Sequence, residues 1–271
     1  MAGAREPVAL DLEAYLRRID YAGDLVPSRA TLDALHRAHA THIPFENLDI
    51  LLGVPIRLDL ASLQAKLVAG RRGGYCFEQN ALFAAVLEKL GFAVTRLAAR
   101  VRLGSDAVRP RTHMTLRVDV GGARVLADVG FGASGLLLPV AFDAGRPSQQ
   151  YAWTYRIVDE GGGWLLQSLH GEAWEDLYAF TDEPQHAVDY ELANYYTSTH
   201  PESRFTQTLT AQRVGPDVRR ILRNRDYTED WGAEVRERTL ADDDEVLSVL
   251  AARFGLEFPA GTRFRWRSDA D

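Results

Sequence analysis

The chain holds one cysteine, Cys76, inside the stretch RRGGYCFEQN at residues 71–80. A single thiol cannot close an internal disulfide, so Cys76 is either a small buried hydrophobe or a nucleophile. Its setting favours ionisation. Phe83, Val86, Leu87 and Leu90 recur at i, i+3, i+4 and i+7, with Gly91 as a stop, which places Cys76 at or just before a helix N-terminus. The unpaired amides and the positive end of the dipole there stabilise a thiolate over a thiol. Gly73 and Gly74 read as a tight turn that keeps the approach to the sulfur free of side chains, with nearby amides available to a developing oxyanion.

A cysteine nucleophile needs a base, and the base needs a carboxylate to orient it. Gly121 and Gly122 lie between two alternating runs and predict a two-residue hairpin turn. From that turn, Val120 pairs with Ala123, Val118 with Val125, Leu116 with Ala127 and Met114 with Val129, giving one unbroken apolar face. The other face pairs Asp119 with Arg124, Arg117 with Leu126, Thr115 with Asp128 and His113 with Gly130. His113 and Asp128 are then diagonal neighbours, ~7 to 8 Å apart along the backbone and within reach of each other's side chains. An ordinary polar strand pair would look the same. Spacing alone does not bring Cys76 to them.

Other residues carry weaker chemistry. His36, His39 and His42 recur every three residues, a spacing that drifts around a helix, and no second cysteine joins them; no metal site is expected. The stretch DVGFGASG lacks the lysine of a nucleotide loop. Its Gly130 and Gly132 could instead let an extended acyl donor pass close to the backbone. Phe131 between them is either core or the wall of an aromatic pocket.

The elements that must position these residues divide into three. Leu12, Tyr15, Leu16 and Ile19 read as a helix behind Asp11, a second amphipathic run follows Ser28, and Leu60 to Val68 is helical again before AGRRGG. Residues 1–92 form a helical unit carrying the cysteine. From about 94 to 180 the period is two, punctuated by glycine turns, as in an antiparallel sheet or barrel; residues 93–200 form this unit and carry His113 and Asp128. Residues 201–271 are mixed, with a helix near His186 to Tyr196 leading in, a strand-like RFTQTLTAQRV, and a late helix opened by Asp242 to Asp244 and closed near Arg253 and Gly255. The fold class is α+β.

Composition narrows the function. The 271 residues, 46% of them hydrophobic, suffice for one large body or a few small ones. A formal net charge of −7 argues against binding phosphate backbones, so nucleic acid is not expected. No apolar run approaches the ~20 residues that cross a bilayer, and the start lacks a basic, then hydrophobic, leader. With its unpaired thiol the chain reads as cytoplasmic.

At these residues the sequence resembles the arylamine N-acetyltransferases. RRGGYCFEQN resembles the family's cysteine motif, RTHMTL its histidine strand, LADVGFG its aspartate turn, HIPFENL its upstream signature and NYYTSTHPESRF the opening of its last region. The likeness runs from about Leu12 to residue 254, and no motif matches after about 258. It implies a three-part fold of helical bundle, β-barrel and α/β lid with a cysteine-protease-like triad. Cys76 would be the acetylated nucleophile, His113 its partner and Asp128 the orienting carboxylate. Arg72 and Glu46 match a charged pair that braces the site, and Phe131 a substrate-pocket aromatic. The implied activity is acetyl transfer from acetyl-CoA, without a metal, to aromatic amines and hydrazines, a reaction of xenobiotic metabolism. Papain- or transglutaminase-like thiol hydrolysis and macrocycle-closing amide synthesis use the same triad and stand as alternatives.

Overall fold

The computed structural model describes residues 9–105 and 107–266. Short oxygen-bearing side chains set the helix starts, as they do at N-caps generally. Asp11 accepts the Ala14 amide before α1 (Leu12–Arg18), and Ser28 accepts the Thr31 amide before α2 (Arg29–His42). Pro44 then forces an extended path into β1 (Phe45–Glu46). Single turns follow, α3 (Leu48–Leu51) and α4 (Leu60–Leu63), the latter running on as a π-helical stretch over Gln64–Ala69. The loop after it leads straight into α5 (Cys76–Lys89), which stops before Gly91 at φ +89°.

Eight antiparallel strands come next: β2 (Ala93–Val101), β3 (His113–Val120), β4 (Ala123–Ala127), β5 (Val140–Ala141), β6 (Ser148–Gln150), β7 (Trp153–Asp159), β8 (Trp164–His170) and β9 (Ala173–Phe180). Their order is β5-β4-β3-β2-β9-β8-β7-β6, and β5 comes back against β7, so the sheet curls into a nearly closed barrel. Gly121 and Gly122 both take positive φ, +60° and +77°, as the preferred two-residue hairpin turn demands. The register is Val120–Ala123, Asp119–Arg124, Val118–Val125, Arg117–Leu126 and Leu116–Ala127. There the ladder ends. The expected pairs Thr115–Asp128, Met114–Val129 and His113–Gly130 lie beyond the end of β4.

The apolar face of this hairpin, with Met114, Leu116, Val118 and Val125, packs on Phe77, Phe83 and Val86 of α5 in one continuous core. Burying several such side chains, at ~1.5–3 kcal/mol each, clamps the start of the cysteine helix onto the histidine strand. The barrel interior forms a second core around Tyr155, Leu166 and Tyr178.

The remainder comprises α6 (Ala187–Thr199), α7 (Arg204–Gln207), β10 (Thr210–Arg213), β11 (Arg219–Arg223), β12 (Asp226–Asp230), β13 (Val235–Thr239) and α8 (Asp243–Val249), which continues as a π-helical turn to Phe254 and stops at Gly255 with φ +69°. The run RFTQTLTAQRV is not one strand. Ser203 accepts the Phe205 amide and starts a helical turn over Arg204–Gln207, so the strand begins only at Thr210. The five strands of the last sheet are ordered β1-β10-β11-β12-β13. Its edge strand therefore comes from residues 45–46, and early and late parts of the chain share one sheet.

Candidate active site

Cys76 occupies the first position of α5 and is 4% exposed. Its Sγ lies 3.6 Å from the Thr112 carbonyl, just before β3 begins with His113. His113 and Asp128 are buried, and His113 Nε2 meets Asp128 Oδ2 at 2.6 Å. That bond occupies Nε2, and His113 and Cys76 line the same hollow. The three residues read from the sequence thus come together, across a helix start, a strand start and the first residue after a strand.

The electrostatics follow from that grouping. Burial disfavours charge on His113, but the Asp128 carboxylate, and then the Cys76 sulfur, outweigh it and hold the imidazole up at about 10. For Asp128, burial pushes upward while the His113 charge and hydrogen bonds from His113, Asn80 and Tyr178 pull it below the usual carboxylate range. Each partner stabilises the charged form of the other.

Asp128 is held on every side. Its Oδ1 accepts from Asn80 Nδ2 at 2.9 Å and from the Gly130 amide at 2.9 Å, and Asn80 also donates to the Met114 carbonyl and accepts the Val129 amide. The Asp128 amide donates to His36 Nε2 at 3.0 Å, while His36 Nδ1 contacts the Leu137 carbonyl. His36 is therefore a neutral Nδ1–H imidazole, in keeping with burial that lowers it to about 4. His39, lowered by burial to about 3, bonds Tyr15 and Gln79, and Gln79 Nε2 reaches the Pro44 and Gly74 carbonyls. So two of the three helix histidines brace the site from below. Among the described residues no group of three or more acidic, histidine or cysteine side chains could hold a metal ion, and no helix is long and apolar enough to cross a membrane.

The glycines serve packing more than access. A Cβ on Gly73 would lie 2.0 Å from the Pro44 carbonyl oxygen, and one on Gly74 would lie 2.7 Å from Glu78. Their missing side chains make room for protein, which corrects the expectation of an open approach to the sulfur. A Cβ on Gly130 would press on Cys76 Cα and Asn80, and Gly132, at φ +82°, faces Gln212. The room expected there for a donor is filled. Phe131 stands edge-on to His113, ring centres 5.1 Å apart, and 4.9 Å from Tyr178.

Arg72 and Glu46 do pair, at 2.7 Å, and they belong to something larger. Arg72 also meets Asp49 at 2.9 Å, Asp49 meets Lys66 at 2.9 Å, and Lys66 meets Glu78 at 2.7 Å. This pentad lies beneath the loop that delivers Cys76.

Two hollows flank α5. The smaller, about 130 Å³, is lined by Cys76, His113, Gly130, Phe131, Phe205 and Gln212. The larger, about 1120 Å³, lies between the 53–60 loop, α5 and α6, and holds none of the three converging residues. Reactive groups, not volume, mark the candidate site, and they line the smaller hollow. It is small against the ~300–1,000 Å³ of ordinary ligand pockets.

Sequence reasoning missed Asn80 and Tyr178. Asn80 stands four residues after Cys76, hence on the same helix face, which was the available signal. Tyr178 lies in β9, whose Glu175 and Asp176 disguise a half-buried strand.

A family model described as N-acetyltransferase matches residues 29–262. The arylamine N-acetyltransferase of Mycobacterium tuberculosis is 41% identical over 255 residues, 92% of this chain and 90% of its own. A solved M. tuberculosis arylamine N-acetyltransferase structure superposes with a TM-score of 0.88 at 40% identity, covering 91% of this chain and 93% of that one. The Mycobacterium marinum enzyme, solved in complex with CoA, gives 0.87 at 39% identity over 90% of this chain and 92% of that one. Cys76, His113 and Asp128 all fall inside the matched span. By sequence and by fold, this chain belongs to the arylamine N-acetyltransferase family.

Proposed function

We propose that the protein transfers an acetyl group from acetyl-CoA to aromatic amines and hydrazines through an acetyl-Cys76 intermediate. The observation that carries this reading is the 2.6 Å contact of His113 with Asp128 at the wall of the hollow that Cys76 also lines. The Cys76 sulfur, as a thiolate ion-paired to protonated His113, attacks the thioester carbonyl. First-turn amides of α5 supply donors for the oxyanion. As the tetrahedral centre collapses, the carbon–sulfur bond to CoA breaks and the CoA sulfur leaves with the proton from His113. The amine then attacks acetyl-Cys76, His113 removes its proton, and the Cys76 sulfur departs to close a ping-pong cycle. Weakly basic aromatic amines suit this step because they are neutral nucleophiles at neutral pH. Phe131 at the cavity wall orients their rings, beside the Gly130–Gly132 backbone, while Arg72 and Glu46 hold the cysteine loop.

In this reading residues 1–92 bring the nucleophile, 93–200 the base and carboxylate, and 201–271 cover the cleft as an α/β lid. Neither a metal nor a nucleic-acid partner takes part, and the work is cytoplasmic. Mass spectrometry of the protein after mixing with acetyl-CoA tests it: one acetyl group on Cys76 is expected, lost on adding an arylamine. An unmodified Cys76 with active donor, or amide cleavage that needs no CoA, overturns it.

A further inference from the structure

We propose that Glu78 is a positioning residue for Cys76: its buried carboxylate, shared between Lys66 and the Tyr75 amide, fixes the first turn of the cysteine helix, and proton gain there retunes the sulfur. The inference rests on the reading of Cys76 as the nucleophile. Glu78 is the third residue of α5, 1% exposed. Its Oε2 accepts the amide of Tyr75, which immediately precedes Cys76, at 3.0 Å, and its Oε1 accepts Lys66 Nζ at 2.7 Å. The same side chain fills the space left by Gly74. Any change in Glu78 is thus felt at Gly74 and Tyr75, the two residues that lead into Cys76.

The charge count makes such a change possible. Running through the pentad, Glu46 of β1, Asp49 of α3 and Glu78 of α5 face Lys66 of the π-helical stretch and Arg72 of the loop. Three carboxylates share two cations. Asp49 touches both cations and is lowered by them despite its burial, and Glu46 has both a bond to Arg72 and the Leu48 amide. Glu78 has Lys66 alone, which it shares with Asp49. The unmatched negative charge therefore falls on Glu78, where a proton removes it at least cost. Burial, reinforced by Glu46 and opposed by Lys66, brings this carboxyl up to about 7. When it is protonated, Lys66 loses one anion, the Tyr75 amide loses a charged acceptor, and the potential at the sulfur becomes more positive.

Because Cys76 is the only cysteine, its alkylation by iodoacetamide reads the sulfur directly. Alkylation rate and kcat/KM for acetyl transfer to an aromatic hydrazine are to be followed from pH 5.5 to 9 in wild type and Glu78→Gln. Glutamine keeps the shape and an oxygen for the Tyr75 amide while removing the titration. Wild type is expected to show an inflection near pH 7 in both rates that Glu78→Gln lacks, with kcat changed threefold to tenfold and KM by less than twofold. A variant that melts like wild type and keeps the inflection overturns the proposal. Carboxyl-13C labelling of glutamate in wild type requires no variant: one signal titrating near pH 7 is expected, and none overturns the proposal even if Glu78→Gln fails to fold. Alkylation that depends on Glu78 without any acetyl transfer would count against the proposed function, not against this role.

Discussion

Two charge clusters serve the start of the cysteine helix, and they are built differently. His113 and Asp128 are one base and one acid, each fully enclosed and each stabilising the other's charge. The pentad behind the loop has three acids to two bases and leaves Glu78 near neutrality. A matched pair keeps its charges over a wide pH range. An unmatched cluster holds a proton that can leave. The pair is suited to chemistry that must always be ready, and the pentad to adjusting the element that carries the nucleophile.

The largest expected effect falls on the pair. Asp128→Asn lets the imidazole settle in the wrong tautomer, so kcat/KM for acetyl transfer is expected to fall about 10³–10⁴-fold; a loss no greater than that of Glu78→Gln would erase the contrast. Next comes Arg72→Met, which strips the buried Glu46 of its cation. It should cost about 3–5 kcal/mol in urea unfolding, with much of that recovered by adding Glu46→Gln.

Stability against pH separates the carboxyls of the two clusters by sign. His113 is raised, so its contribution is complete below the ordinary histidine range and is lost as pH climbs toward about 10. Asp128 is lowered, so its contribution is present above the usual carboxylate range and is lost as pH falls through its folded value. Glu78 is a raised carboxyl and does the reverse: stability declines as pH rises from the ordinary glutamate value to about 7. Melting curves of Glu78→Gln should lack that decline, a difference on the order of 1–3 kcal/mol by pH 8; matching curves would mean that the pentad is matched after all. The smallest effect is Phe131→Leu. Losing the aromatic contact with His113, worth ~0.5–1.5 kcal/mol, should raise KM for arylamines about twofold to tenfold and leave Cys76 acetylation intact.

Part of this was legible in the sequence. The hairpin register from Val120–Ala123 to Leu116–Ala127 could be counted out from Gly121 and Gly122 because an apolar face of Val, Leu and Ala admits only one alignment. The helix starts at Asp11, Ser28 and Asp242 were signalled by their capping side chains. The last sheet was harder, since RRILR, DYTED and VRERT are charge-rich and partly solvated, and carry little period-two signal. That Cys76 meets His113 depends on α5 packing against β3, which no local pattern encodes. Arg72 and Glu46 came through family resemblance, whereas no local pattern singles out Asp49, Lys66 and Glu78, which the fold gathers.

Phe258 lies where the recognisable motifs run out, yet its ring covers the Arg72 guanidinium at 4.6 Å and packs on Phe264, and the Arg265 amide returns to the Leu51 carbonyl. A polypeptide cut short at residue 257 would retain every reacting group and still admit water to the ions under the nucleophile. Such a truncation should mimic a damaged reaction centre while leaving that centre chemically whole, so harm at the carboxyl end is easily misread as harm to catalysis itself.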